Sequence, residues 1–154
     1  MCSSDLRFIS EGLVTNEPPK IGRAFPILVP QADADGNGIA GIRMPELAVP
    51  LATYTGWNLF NARSGPTTEL SSMQGSYIPL PRTPAERRRA GDPRASIEER
   101  YRDKDTYLGL VSKAALDLID QGYLLGEDLP AILRSAARHW DFVASAPAPS
   151  TQQQ

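Results

Sequence analysis

The residues with the clearest potential for chemistry lie in an acidic, glycine-rich stretch, "DADGNG", that begins at Asp33. A calcium loop of the EF-hand type places oxygen ligands at positions 1, 3 and 5 and a glycine at position 6. Asp33, Asp35, Asn37 and Gly38 match these four positions. The same residue types are typical of tight turns, because they bond their own backbone and tolerate positive φ. The pattern therefore indicates either half of a calcium site or an acidic turn.

The second half of the calcium pattern is missing. Position 12 of an EF-hand loop is a bidentate glutamate, but here it falls on Met44, whose thioether is a poor ligand for a hard cation. The flanks are also unlike those of an EF-hand, because "FPILVP" and "GIAGIRMP" are short apolar runs typical of strands rather than helices. We therefore predict a β-hairpin with "DADGNG" as its loop, and keep a calcium-binding turn module as the second alternative.

Serine hydrolysis requires a nucleophile, a base and a group that orients the base. His139 is the only histidine, and the chain contains no G-x-S-x-G elbow. "NARSGP" around Ser64 lacks the strand-to-helix setting of such an elbow, so we predict His139 to be a surface residue of a helix. The single cysteine, Cys2, permits no intrachain disulfide. We predict no catalytic, cofactor-binding or metal-ligating residues within this sequence.

The overall charge excludes some classes of partner. The formal net charge is -2, and the basic run at Arg87 to Arg89 with Arg94 is balanced by nearby acids, which predicts a solvated helix face rather than a nucleic-acid surface. No apolar run approaches the ~20 residues of a membrane-spanning helix, and the first residues lack the features of a signal peptide. We expect neither nucleic acid nor membrane as a partner, and the compartment stays open.

A second candidate site is the aromatic stretch "PELAVPLATYTGWNLF". Tyr54 and Trp57 combine apolar area with a polar handle, and Gly56 is expected to let the backbone turn closely. One interpretation is an aromatic anchor for an irregular loop. The other is a loop that lines a pocket completed by other parts of a larger protein. The candidate residues are Thr53, Tyr54, Thr55, Gly56, Trp57 and Asn58.

The chain has two halves of different composition, and the elements that they form must position these candidate residues. The 14 prolines and 12 glycines concentrate before residue 94, so residues 18–81 are predicted to form the hairpin, a short strand in "SMQGSYIPLP" and loops. Residues 82–143 are predicted to be helical. Thr83 with Glu86 forms the pattern of a capping box with Pro84 in the first turn and Gly91 as its end, and Ser96 with Glu99 repeats the pattern.

Two longer helices follow. The first is predicted to begin at Asp105 and end at Gly122, and the second to begin near Asp128. Each carries an apolar stripe at helical spacing, expected to be core or docking surface: Leu108, Val111, Ala115, Leu118 and Ile119 on the first, and Leu129, Ile132, Leu133, Ala136 and Trp140 on the second. We predict an α+β fold, with a ragged segment at 1–17 and a disordered tail at 144–154.

The two halves together resemble a known family. "FPILVPQADADGNGIAGIRMPELAVPLATYTGWNL", "GSYIPLPRTPAERRRAGDPRASIEERY" and "QGYLLGEDLPAIL" are similar, in the same order, to the C-terminal region of large bacterial alpha/beta-hydrolase-domain proteins. The resemblance extends from about Pro18 to Phe142. It implies a segment that follows the hydrolase core, so that the nucleophile elbow and its histidine lie upstream of these residues.

The resemblance implies a C-terminal fragment of a parent that is a serine hydrolase of the esterase type. The segment is then expected to complete or cover the missing N-terminal hydrolase core, which is its expected partner, and to be inactive alone. Self-association through exposed apolar surface is also expected. The alternatives are a self-standing interaction or regulatory module, the calcium-binding turn module, and a chain that folds only with its partner.

Overall fold

A computed structural model of the chain describes residues 28–61, 63, 70–71 and 75–145. The predicted ragged segment at 1–17 and residues 146–154 of the predicted tail at 144–154 lie outside these residues. So does the first half, residues 25–27, of "FPILVP", the first strand of the predicted hairpin. The first two residues of the predicted tail, Ala144 and Ser145, are instead the end of the last helix.

The described chain is a mixture of short strands and helices. Four helices follow residue 82, which confirms the predicted α+β class; a short helix, α1, lies before them and is an addition to the prediction. The elements in chain order are α1 (Pro45–Ala48), β1 (Ala52–Thr55), β2 (Asn58–Leu59), β3 (Leu70–Ser71), β4 (Ser76–Pro79), α2 (Pro84–Ala90), α3 (Ile97–Arg100), α4 (Lys104–Asp120), a 3-10 turn (Gly126–Asp128) and α5 (Leu129–Ser145).

The described strands form two antiparallel pairs. β1 pairs with β4, where Tyr54 lies opposite Tyr77, and β2 pairs with β3. The predicted strand in "SMQGSYIPLP" is therefore present as β4. Close backbone approach occurs at Gly75, where a Cβ atom would collide with the carbonyl oxygen of Thr55. At Gly56, where the sequence predicts a close turn, the backbone bends, and a Cβ atom there would meet no atom within 4 Å.

The acidic stretch forms the predicted turn. The Asp33 carboxylate accepts hydrogen bonds from the backbone N–H groups of Asp35 and Asn37, both at 2.9 Å, and Gly36 takes a φ of 79°. Among the residues that the structure describes, strand pairing on either side of the turn consists of one bridge between Ala32 and Gly38. Residues 39–44 do not form the second strand of the predicted hairpin, because the chain turns away from the bridge and begins α1 at a proline.

The turn is fastened to the rest of the protein by Asn37, which is fully buried. Its Nδ2 donates to the carbonyl oxygen of Ala52 at 3.2 Å, and its Oδ1 accepts from the backbone N–H of Tyr54 at 2.7 Å. These two groups lie on the edge of β1 that faces away from β4. The side-chain amide therefore takes the place of a neighbouring strand and satisfies backbone groups that burial would otherwise leave unpaired.

Capping fixes the ends of the two shorter helices. The N–H of Glu86 donates to the Thr83 hydroxyl at 3.1 Å, and Gly91 ends α2, as predicted. The Glu86 carboxylate accepts from the N–H of Arg82 at 2.9 Å rather than from that of Thr83, so the predicted capping box closes one residue earlier. At α3, the Glu99 carboxylate accepts from the Ser96 N–H at 2.8 Å, which confirms the second capping box.

The two long helices, α4 and α5, pack against each other and supply part of the core. α4 begins at Lys104, one residue before the predicted start, because the Asp103 carboxylate caps it by accepting from the N–H of Thr106. The predicted stripe of α4 is buried at Val111, Ala115 and Leu118. The core cluster joins the helices to the strand region and comprises Val49, Leu51, Leu80, Ile97, Tyr101, Tyr107, Val111, Ala136 and Val143. Within the described part of the chain, no helix is both long and apolar enough to span a bilayer.

Replacement of Asn37 by alanine tests how much the fold depends on this buried amide. Asn37→Ala leaves the Ala52 carbonyl and the Tyr54 N–H without their partner, so we expect a loss of about 2–4 kcal/mol in the free energy of unfolding. Urea denaturation followed by circular dichroism measures it. Asn61→Ala is the matched control, because Asn61 is exposed and bonds a nearby exposed N–H; its effect should stay within about 0.5 kcal/mol. Equal losses in both variants would contradict the structural role of Asn37.

Candidate functional site

Two tyrosines and the single histidine meet in one place. The hydroxyl of Tyr77 lies 2.8 Å from Nε2 of His139, and the hydroxyl of Tyr54 lies 3.4 Å from Nδ1 of the same ring. The two phenol rings are 5.6 Å apart between centroids. Both ring nitrogens of His139 thus face phenolic hydroxyls. We refer to Tyr54, Tyr77 and His139 as the tyrosine–histidine cluster.

Three elements bring the cluster together. Tyr54 and Tyr77 are direct cross-strand neighbours in β1 and β4, so the sheet register places their rings side by side. His139 comes from α5, and the next residue, Trp140, packs on Tyr107 with the ring centroids 5.2 Å apart. Because neighbouring residues on a helix have fixed relative directions, the buried contact of Trp140 orients His139 toward the strands. Asn37 fixes the backbone of Tyr54 from the other side.

Burial keeps the cluster uncharged near neutral pH. Desolvation lowers the pKa of His139 below its ordinary value of 6.5, and the negative charge of Glu46 opposes this shift. Desolvation also raises the pKa of Tyr54, with smaller contributions from Tyr77 and Glu46. The pKa of Tyr77 is raised by burial as well. The cluster therefore contains a neutral imidazole and two neutral phenols, the forms that exchange hydrogen bonds without net charge.

The structure corrects the sequence interpretation of His139. It is not a surface residue of a helix but is half-buried, and both of its nitrogens lie within hydrogen-bonding distance of tyrosine hydroxyls. The sequence offers little sign of this, since His139 lies 85 and 62 positions from its two partners. The one available signal is the neighbouring Trp140, an aromatic residue that belongs to the predicted apolar stripe.

The six residues of the predicted aromatic loop have different surroundings. Tyr54 joins the tyrosine–histidine cluster, whereas the buried Thr53 donates to the carbonyl oxygen of Asp35 and thereby holds the acidic turn. Thr55 donates to the carbonyl oxygen of Trp57 and accepts from the N–H of Ser76 at 3.1 Å. Gly56 is exposed, and Asn58 bonds the next residue of the chain. Among the six, the structure brings only Tyr54 to the histidine.

Arg94, which the sequence predicts to lie on a solvated helix face, instead makes contacts that hold the fold together. Its side chain is only 14% exposed, and its guanidinium pairs with Asp92 at 2.6 Å. It also donates to the Thr53 hydroxyl at 2.7 Å and to the carbonyl oxygens of Ile78 and Pro79. The hydrogen bond from Arg94 lowers the pKa of Asp92 against the opposing effect of burial. Arg94 thus ties the ends of both β1 and β4 to the segment between α2 and α3.

The oxygens of the acidic stretch have protein partners. Asp33 pairs with Arg43 at 2.6 Å, and Asp35 makes a two-point contact with the guanidinium of Arg100. Burial alone would raise the pKa of Asp33, but hydrogen bonds from the backbone N–H of Asn37 and from Arg43 outweigh it and hold this pKa below its ordinary value. These contacts favour the turn over the calcium loop, because each carboxylate already has a cation beside it.

Comparison with known proteins identifies the family. A family model described as alpha/beta hydrolase domain matches residues 9–134, which is well over half of the chain. The chain belongs to the alpha/beta hydrolase domain family. This confirms the predicted resemblance to an alpha/beta-hydrolase-domain family. Comparisons with curated proteins and with solved structures gave no match.

Membership of the alpha/beta hydrolase domain family poses a question about the histidine. In a serine hydrolase, the histidine accepts a proton from a serine within hydrogen-bonding distance. Among the residues that the structure describes, the side chains hydrogen-bonded to His139 are those of Tyr54 and Tyr77, and no serine is one of them. The arrangement can orient a neutral imidazole and exchange protons with phenols, but it contains no activated serine within the described residues.

The lowered pKa of His139 makes stability depend on pH. The folded chain binds a proton at His139 less readily than the unfolded chain, whose histidine has a pKa of about 6.5. This contribution to stability is present above the unfolded pKa and is lost as pH falls toward the folded pKa. We therefore expect the free energy of unfolding to fall more steeply between pH ~7.5 and ~5.5 in the wild type than in His139→Gln.

Urea titrations at several pH values measure this difference. Glutamine can still exchange hydrogen bonds with the tyrosines but does not titrate, and the carboxylates are common to both proteins. Parallel stability curves for the wild type and His139→Gln would show that burial does not disfavour the imidazolium.

Proposed function

We propose that the chain is the carboxy-terminal part of a longer alpha/beta-hydrolase-like protein of the serine esterase type. In that protein it completes or covers the catalytic core and does not itself hydrolyse substrate. The observation that carries the proposal is the combination of family membership with a histidine whose ring nitrogens both face tyrosine hydroxyls. The reaction class follows from the family resemblance.

The sheet of the described chain supports a non-catalytic role. A nucleophile elbow lies at a sharp turn from a strand of the main sheet into a helix. The described strands instead form two antiparallel pairs, in which β1 pairs with β4 and β2 with β3. On this proposal, the elbow and its histidine are supplied by the preceding part of the longer protein, in line with the resemblance.

Exposed apolar residues support the proposed partner, the hydrolase core. Large apolar side chains on β2, β3 and β4 are between 37% and 48% exposed: Leu59, Leu70, Tyr77 and Ile78. Large apolar side chains with this exposure are expected to pack against another part of a protein. We propose that the core of the longer protein covers them, and that the isolated chain self-associates through them.

A self-standing interaction or regulatory module is the second candidate. It is favoured by a core that joins the strand region to the long helices, through Leu51 and Leu80 on one side and Tyr107 and Val143 on the other. A chain with such a core is expected to unfold cooperatively on its own. A sharp thermal transition of a monomer, measured by circular dichroism and analytical ultracentrifugation, would favour this module. Association into larger species would favour the covered fragment.

An esterase assay of the purified 154-residue chain tests the catalytic proposal. We expect hydrolysis of p-nitrophenyl acetate at the rate of the buffer, because the histidine has no serine partner among the described residues. His139→Ala should behave identically. Turnover by the wild type that is abolished in His139→Ala would overturn the proposal. Restoration of turnover by addition of the polypeptide encoded immediately upstream would support it, provided that this polypeptide contains a G-x-S-x-G elbow and a later histidine.

A further inference from the structure

Asn37 precedes a glycine that the described fold does not require. Asn37 and Gly38 form the only Asn-Gly pair in the chain. Gly36, in the same turn, is needed as glycine, because its φ is 79° and a Cβ atom there would lie 2.8 Å from Cγ2 of Thr53. Gly38 has no left-handed backbone, and a Cβ atom there would meet no atom within 4 Å. The missing side chain at Gly38 therefore has no packing role, but it affects the chemistry of Asn37.

An asparagine that precedes a glycine undergoes a spontaneous reaction of its side-chain amide. The backbone nitrogen of Gly38 attacks Cγ of Asn37, so that a new C–N bond forms and the bond from Cγ to Nδ2 breaks. Nδ2 takes up the proton of the attacking N–H group and leaves as ammonia. Water then opens the cyclic imide at either of its two carbonyl carbons, which gives aspartate or isoaspartate. Glycine favours the reaction because no Cβ atom obstructs the attacking nitrogen.

In the folded chain, each polar atom of Asn37 has a partner elsewhere. Its backbone N–H donates to the Asp33 carboxylate at 2.9 Å, and its carbonyl oxygen accepts from the N–H of Asp33 at 2.8 Å. Its side-chain amide bonds Ala52 and Tyr54, and the residue is fully buried. These contacts hold the amide on β1, and burial keeps water away from it. Attack by the nitrogen of Gly38 therefore requires the acidic turn to open first.

The product of deamidation cannot replace the asparagine in this place. Nδ2 of Asn37 donates to the carbonyl oxygen of Ala52, whereas the oxygens of an ionised carboxylate only accept. Two acceptors would then face each other in a buried site, and one of them would carry a charge. Isoaspartate would in addition route the main chain through the former side chain and lengthen the turn. Both products therefore oppose the return of the acidic turn to β1.

We propose that Asn37 is a deamidation site that folding protects, and that its deamidation makes the opening of the acidic turn permanent. The folded chain keeps the amide. A chain whose turn has opened converts the amide to a carboxylate and loses the attachment of the turn to β1. The reaction needs water and no enzyme or cofactor. The inference does not depend on the proposed function, because it concerns only the acidic turn and β1.

Peptide mass spectrometry tests the protection. Trypsin releases residues 24–43 as one peptide, in which Asn37 is the only asparagine. The full chain is incubated at mildly alkaline pH in buffer or in concentrated guanidinium chloride, and the deamidated fraction of this peptide is followed over time. We expect the rate in buffer to be lower by about tenfold or more, since an opening free energy of only ~1.4 kcal/mol already gives that factor. Equal rates in the two conditions, or no deamidation in denaturant, would overturn the proposal.

Gly38→Ala separates the reaction from the fold. The added methyl group meets no atom within 4 Å, so the urea midpoint of this variant should match that of the wild type. In denaturant, the variant should lose its amide several-fold more slowly. After long incubation in denaturant and dilution into buffer, the refolded fraction of the wild type should fall as its deamidated fraction rises, whereas Gly38→Ala should still refold. Complete refolding of the deamidated wild type would contradict the proposal.

Asn37→Asp introduces the product without the reaction. At neutral pH, we expect its urea midpoint to lie below that of the wild type. This gap should narrow as pH falls and be smallest below the ordinary aspartate pKa of ~3.9, because a protonated carboxyl group can donate to the carbonyl oxygen of Ala52 as Nδ2 does. Equal midpoints for Asn37→Asp and the wild type at neutral pH would overturn the inference, whatever the result with Gly38→Ala.

Discussion

The amide of Asn37 is the contact on which the arrangement of the strand region depends. It is fully buried and bonds both Ala52 and Tyr54 on the free edge of β1. A two-stranded ribbon is only marginally stable by itself, so a third partner along β1 matters. The acidic turn supplies that partner in the form of one side chain. Through Asn37, the acidic turn therefore stabilises β1, the strand that carries Tyr54.

Three arginines stabilise the acidic turn and the strand pair β1 and β4. Arg43 and Arg100 pair with Asp33 and Asp35 of the turn, and Arg94 ties β1 and β4 to the segment after α2. A guanidinium suits this work because it donates several hydrogen bonds in fixed directions and stays charged. The carboxylates of "DADGNG" thus form ion pairs within the fold. A residue pattern that resembles a calcium loop therefore has a structural role here.

Much of the local structure could be predicted from the sequence, because it depends on nearby residues. Thr83 and Ser96 mark the starts of α2 and α3, since each cap involves residues within three positions. The acidic stretch was predicted as a turn for the same reason. The predicted second strand of the hairpin did not form, because a strand needs partners along its length. In the described chain, the backbone of residues 39–44 bonds across the turn only at Ile39, whose N–H donates to the carbonyl oxygen of Gln31.

The sequence by itself determined the α+β class, the helix caps, the acidic turn and the family, all of which depend on local pattern or collinear motifs. Only the tertiary structure decided that Tyr54, Tyr77 and His139 form one cluster. Their meeting depends on the register of β1 with β4 and on the rotation of α5, which the packing of Trp140 on Tyr107 sets. Such contacts join residues up to 85 positions apart, and no periodicity along the chain encodes them.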